Sequence, residues 1–335
     1  MHTSSSKHYF PWLDLLKFLC CVGVVSIHTK PFLYCDTTAC GIGMIQFLPG
    51  MSVPIFFMVS AFLFWGKITF NFKEDSCVIK RFVSRLAILY VSWSILISPV
   101  WFTAFYRKYP EEWMYLLPFK FFVTGAAHGS WFIMSLIQGI VLCYVLNKFL
   151  GKMITTILCF AVTFYVNLVF YGMPDYLNIY YNYKVFNIWF SPFYAMLWIQ
   201  LGCLVRLFLG WSQVAKCSMK YVWIMAFVGL IVSYTLREVQ YVNFIANALF
   251  YCLVLCFCAT PVKKNRDFSM LRKMSIIIYF SHFAFTVLYR ALVWKGYLSY
   301  EYGFREFAVV LSCSIVGSYL IVKLSEKIKF LKCLY

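Results

Sequence analysis

Apolar runs of about 20 residues recur along this chain, and no other feature narrows its possible folds so far. A hydrocarbon core about 30 Å thick takes roughly 20 apolar residues of helix to cross. Inside it, every backbone polar group has to be satisfied by the chain itself. Runs of that length place helices near residues 9–28, 47–66, 86–106, 131–149, 153–171, 186–208, 219–236, 241–260, 274–293 and 306–326. They are too long and too uniformly apolar for the alternating strands of a membrane barrel. The expectation is an all-α integral membrane protein of about ten transmembrane helices. Composition agrees, with 63% hydrophobic and 13% charged residues, against about 45–50% and 25% in soluble domains.

The breaks between runs carry loop chemistry: KEDSC at 73–77, KYPEEW at 108–113, GMPD at 172–175 and PVKKNRD at 261–267. Charge then sets direction. With the N-terminus cytoplasmic, 20 of the 30 Lys and Arg fall on the cytoplasmic side and nine outside, Lys17 being within a span. Positive residues collect inside, so both termini are expected in the cytoplasm and the protein in the cytoplasmic (inner) membrane. The same rule accounts for the net charge of +18. No basic soluble domain exists to bind nucleic acid, and the cations meet membrane lipid headgroups instead. The first 12 residues, MHTSSSKHYFPW, lead into the first run without a small-residue cleavage site, which reads as a retained helix rather than a signal peptide. With no repeat and no appended soluble stretch, residues 1–335 read as one transmembrane domain.

Most of the 14 Cys fall inside spans, where thiols behave as small hydrophobes. No CxxC pair or Cys/His cluster has metal spacing, so no metal is expected. Cys35 and Cys40 can form a disulfide if their loop faces an oxidising compartment.

The first run is the informative one. LDLLKFLCCVGVVSIH, residues 13–28, carries Asp14, Lys17 and His28, and ionisable groups within a span mark a path, a pair or a site. At 100° per residue, the eleven steps from Lys17 to His28 return to within about 20° of one face, with a rise of roughly 16 Å. Asp14, three residues before Lys17, shares that face. A snorkelling Asp14–Lys17 pair and a headgroup-facing His28 would explain each residue singly, but anchors need no common face. A histidine can take a proton from a hydroxyl and return it near neutral pH, and a deeper cation can hold an anionic part of a long ligand. The stripe suits a reaction between a cytoplasmic donor and an outward-facing acceptor.

These residues resemble the first helix of the acyltransferase 3 family of membrane O-acyltransferases, which carries an Asp, then a basic residue, ten residues and a His; here the spacing is Lys17-x10-His28. VPIFFMVSAFLFWGK at 53–67 resembles the family's VPxFFxxSGF second helix, and KRFVSRL at 80–86 its basic cytoplasmic loop. GSWFIMSLI at 129–137 is similar to its WF-containing fourth helix and SIIIYFSHF at 275–283 to its IYxxH stretch. Two positions depart from the pattern. Lys17 stands where Arg is common, and lacks Arg's planar fork. Ser60-Ala61 replaces Ser-Gly, and the added methyl would crowd a close helix crossing.

The resemblance implies a roughly ten-helix core that transfers an acyl group, most often acetyl from acetyl-CoA, to a hydroxyl of an exported glycan or glycolipid. His28 would then be the catalytic base or an acyl-carrying nucleophile, with Asp14 and Lys17 on the catalytic face and Lys17 also a donor-site cation. Arg81 and Arg85 would hold the phosphates of acyl-CoA, a role guanidinium groups suit. His282, mid-span beside Ser281 and Tyr279, is chiefly a packed structural residue and secondarily a substrate contact. On the outer side, His128 and Trp131 are candidates to touch the acceptor, and Glu238 in the REVQ turn is an acid able to orient a base. The competing function is a transporter or flippase for a polysaccharide intermediate. Such proteins often show repeats or broken helices in matching positions, and neither is legible here.

Overall fold

The computed structural model describes residues 9–32, 40–126, 129–171, 187–211, 219–259, 267–299 and 303–335. Among these residues twelve α-helices follow in order: α1 Pro11–Thr29, α2 Cys40–Phe47, α3 Ser52–Trp65, α4 Phe72–Leu96, α5 Ser98–Lys108, α6 Trp113–Phe119, α7 Trp131–Tyr171, α8 Pro192–Trp211, α9 Met219–Thr235, α10 Gln240–Cys258, α11 Ser269–Trp294 and α12 Phe304–Leu324. The described residues contain no strand. The protein is an all-α membrane protein. Among the described residues, six segments are long and apolar enough to cross a bilayer: Pro11–Thr29, Gly43–Trp65, Trp131–Leu168, Pro192–Leu209, Ser269–Trp294 and Phe304–Leu324. The pair α4–α5 passes the same test as one span bent by 74°, while Ile224–Thr235 and Val242–Cys258 are apolar but shorter.

Each break has a cause. Between α4 and α5, Pro99 supplies no N–H and its ring clashes with the preceding turn. The Trp101 indole donates to the Ser94 carbonyl at 2.8 Å, satisfying a backbone group at the bend. In α7 the break is Gly151, at φ 75°, a conformation open to glycine. The two halves then fold back on each other, as α8 shows. Ser135, Cys143 and Asn147 contact residues 190, 196 and 200 in rising order, whereas Thr156 meets Gln200 and Thr163 meets Phe193. Residues 131–150 therefore run parallel to α8 and 152–168 antiparallel to it, as a helical hairpin.

Helix α3 is apolar on all sides and correspondingly central, with Ile55, Phe57, Met58 and Val59 fully buried. It crosses α8 at Gly202, where a Cβ would stand 2.4 Å from the Met58 carbonyl oxygen and 2.9 Å from the Ala61 Cβ. A close crossing thus exists at Ala61, and the glycine on the opposite helix makes room for its methyl.

Helices α1 and α11 run side by side in the same direction. Phe268 N–H donates to the Tyr9 hydroxyl at 2.9 Å, Asp14 lies 3.7 Å from Arg272, and the Cys21 thiol reaches the Ser275 carbonyl at 2.9 Å. The His28 and His282 rings then face each other near the other end. Ahead of α11, Asp267 accepts from the Ser269 N–H at 2.8 Å, a bond that holds its carboxyl below the usual range.

Candidate active site

The parallel seam of α1 and α11 places one histidine from each helix in the wall of a cavity of about 1000 Å³. The His28 and His282 ring centroids are 5.2 Å apart, tilted by 31°. His28 sits in the last turn of α1, which Lys30 ends in a left-handed conformation while its N–H bonds the Ser26 carbonyl at 2.8 Å. His282 is 1% exposed. Its Nδ1 lies 3.2 Å from the Ile278 carbonyl oxygen, which only accepts. Nδ1 therefore carries the proton in that contact, leaving the neutral ring's lone pair on Nε2.

Behind His28 is a charged clamp. Arg290 on α11 donates through Nε to Glu306 Oε1 at 2.8 Å and through Nη2 to the His28 carbonyl oxygen at 3.1 Å. Glu306, in the first turn of α12, is 1% exposed, whereas the Arg290 side chain is half-exposed. The histidine backbone is thus held by a guanidinium that is itself oriented by a buried carboxylate.

The cavity wall combines aromatic faces with amides. Trp131 opens α7 and packs on Phe190 at 4.8 Å. Tyr279 donates to the Gly129 carbonyl at 2.8 Å, tying the α7 entry to α11. Asn167, Asn243 and Asn247 supply hydrogen-bonding groups from α7 and α10, and Arg237 supplies a cation. Aromatic faces with side-chain amides suit a ligand bearing both apolar faces and hydroxyls.

At the other end of the seam lie the remaining ionisable groups. Asp14 is buried and takes its ion-pair contact from Arg272 at 3.7 Å. Lys17, half-buried, feels the charges of Asp14, Arg272 and Arg85. Arg81 and Arg85 stand one turn apart on α4, both exposed. Arg85 lines a second cavity of about 290 Å³, and Arg81 does not. The two cavities share no lining residue, and the seam between them is filled by buried Cys21, Val25, Ile277 and Ile278.

The sequence-predicted residues thus fall into two groups: His28, His282 and Trp131 around the large cavity, and Asp14, Lys17 and Arg85 at the opposite end of α1. Glu238 lies apart from both, its side chain exposed and 3.2 Å from Arg237; the neighbouring Arg237 faces the cavity instead. His128 and the Cys35–Cys40 pairing lie outside the described residues. Among the described residues, no group of His, Cys, Asp and Glu has metal-holding geometry. Sequence reasoning missed the Arg290–Glu306 clamp, although Glu306 heading an apolar run was a visible signal. It counted Arg272 only as a topological charge, although Arg272 is the partner of Asp14.

The family model described as an acyltransferase domain matches residues 10–323, which include both groups. No curated protein and no solved structure matches the chain. A transmembrane helical fold, a histidine pair in a cavity wall and this match over nearly the whole chain place it: the chain belongs to the acyltransferase 3 family and is a membrane acyltransferase.

Proposed function

We propose that this acyltransferase moves an acetyl group from cytoplasmic acetyl-CoA to a hydroxyl of an exported glycan or glycolipid, within the cytoplasmic membrane. The observation that carries the reading is the His28–His282 pair in the wall of a cavity faced with aromatic rings and amides. In this reading the acceptor lies on Trp131 and its hydroxyl points at His28, which takes the proton as the oxygen attacks the acyl carbonyl; the thioester C–S bond then breaks, and the proton passes from the imidazolium to the departing CoA thiolate. An imidazole can take a proton from a hydroxyl and return it, which is the task the transfer sets. The same ring can instead carry the acyl group first and pass it on. Buried His282 backs the His28 ring and limits its orientation. Lys17 and Arg85 serve the anionic donor at the cytoplasmic end.

The topology behind this reading has ten crossings, with the α7 hairpin as two and α4–α5 as one. Parallel α1 and α11 require an odd number of crossings between them, and seven satisfies that. Because packed side chains separate the two cavities, the acyl arm passes only when the α1–α11 seam parts.

The test is mass spectrometry of surface glycans from a deletion strain and its complemented parent. Loss and return of one ester-linked acetyl group supports the proposal and names the acceptor. Unchanged glycan esters in the deletion strain refute it.

A further inference from the structure

The cavity that Arg85 lines has an unusual wall. Arg85 comes from α4, Arg272 and Lys273 from the start of α11, and Lys332 from the 3-10 turn Lys329–Leu334, with Ile276 and Tyr335 completing it. Four cations from three segments far apart in sequence meet around about 290 Å³, and among the described residues no Asp or Glu side chain lines the space. Gathering like charges costs free energy unless an anion neutralises them. Asp14, 3.7 Å from Arg272, offsets one charge of the four.

Ordinary positive-inside anchoring does not demand this arrangement. Anchoring charges need only reach headgroups, and Arg81, one turn from Arg85, is exposed without facing the cavity. The turn, by contrast, is fastened in place. The Trp93 indole donates to the Leu334 carbonyl at 3.1 Å, and the Ser325 and Tyr335 hydroxyls are 2.6 Å apart. Trp93 in turn stacks on Phe280 of α11 at 5.2 Å, and the Lys273 ammonium stands 5.6 Å over the Tyr335 ring. These contacts bring Lys332 to the same space as Arg85 and Arg272.

We infer that the turn Lys329–Leu334 closes a phosphate-binding cradle, in which Arg85, Arg272, Lys273 and Lys332 together hold the phosphates of the acyl donor. The inference rests on the donor reading above and extends it. Lys332 and Tyr335 lie beyond residues 10–323, so the cradle adds to what the family match covers. Guanidinium forks and ammonium point charges together suit a ligand bearing several phosphate oxygens. A volume near 300 Å³ sits at the lower end of ligand pockets, enough for the phosphates while the acyl arm extends elsewhere. That arm has a direction: Arg85 and Arg272 act on Lys17, and Lys17 shares a helix face with His28. An anionic lipid headgroup has the same chemistry and is the source to be distinguished.

The experiment is titration calorimetry of the purified full chain in neutral detergent, with CoA, phosphate-free pantetheine and phosphatidylglycerol in mixed micelles. The variants are Lys273→Gln and Lys332→Gln, neither of which makes an ion pair within 4 Å among the described residues. Losing one charge-assisted phosphate contact weakens binding roughly tenfold. Each variant is expected to weaken CoA by that factor and to leave pantetheine unchanged. Wild-type CoA affinity in both variants overturns the cradle. Unchanged CoA affinity with weakened phosphatidylglycerol binding overturns it in favour of a lipid site. Acetyl transfer to glycan, measured in parallel, separates the two readings. Charge-dependent CoA binding without any acetyl transfer keeps the cradle and rejects the proposed reaction, whereas transfer with charge-indifferent CoA binding rejects the cradle alone.

Discussion

Removing either member of the Arg290–Glu306 pair is expected to have unequal effects. Glu306 is 1% exposed, so Arg290→Ala leaves a carboxylate buried without its cation. Orphaning a buried charge in this way costs about 3–5 kcal/mol, equivalent to a fall in Tm on the order of 10 °C. Glu306→Gln keeps a side-chain oxygen for Arg290 Nε and leaves a cation that is half-exposed. Its cost is nearer 1 kcal/mol. Replacing both by apolar residues of similar volume, Arg290→Met with Glu306→Leu, removes the orphaned charge and should restore wild-type Tm or exceed it. Activity should not follow stability. The His28 carbonyl loses its 3.1 Å donor in the double variant, and a displacement near 1 Å at a reacting group costs about 10²-fold in rate. The assays are thermal unfolding in detergent and transfer of radiolabelled acetyl from acetyl-CoA into glycan in inverted membrane vesicles. Expected are a double variant with restored Tm and a kcat lowered roughly 10- to 100-fold. Wild-type transfer by a stable double variant would refute the claim that the clamp positions His28.

Three further outcomes follow from the geometry. Gly202→Ala should lower Tm through about 1–3 kcal/mol of overpacking, since its methyl would meet the Met58 carbonyl oxygen at 2.4 Å; an unchanged Tm contradicts the tight α3–α8 crossing. Arg85→Gln should raise the KM for acetyl-CoA while Arg81→Gln leaves it near wild type, because only Arg85 faces the second cavity; equal effects would return both to anchoring. Lys17→Ala should insert and fold normally, since Asp14 retains Arg272, yet lose transfer, with Lys17→Arg active. Restoration of transfer by adding Asp14→Asn to Lys17→Ala would reduce Lys17 to a charge partner.

Hydropathy made the helical membrane class legible, and Gly151 separates the two runs expected at 131–149 and 153–171. It misplaced the start of α4, however, which begins at Phe72 and not near 86. The side chain of Asn71 accepts from Lys73 N–H at 3.2 Å, and Glu74 and Asp75 follow in the first turn. These groups favour a helix N-terminus, but they read as a loop on any scale that measures only apolarity. The face shared by Lys17 and His28 was visible because it is local to one helix. The approach of His282 to His28 was not, since it depends on how α1 and α11 pack across 253 intervening positions. Arg272, Lys273 and Lys332 were counted as inner-face cations for the same reason: convergence is a property of three segments, and a sequence shows each alone. Glu238 drew notice as an isolated outer acid, whereas the structure pairs it with Arg237.

The central claim is that His28 performs the transfer, and the direct measurement is acetyl-ester content of the glycan made by cells expressing His28→Ala at wild-type membrane abundance. Loss of a general base alone removes about 10²–10⁴ in rate. The account predicts that ester acetylation falls to the level of the deletion strain while the protein inserts normally. Wild-type acetylation by His28→Ala would contradict it.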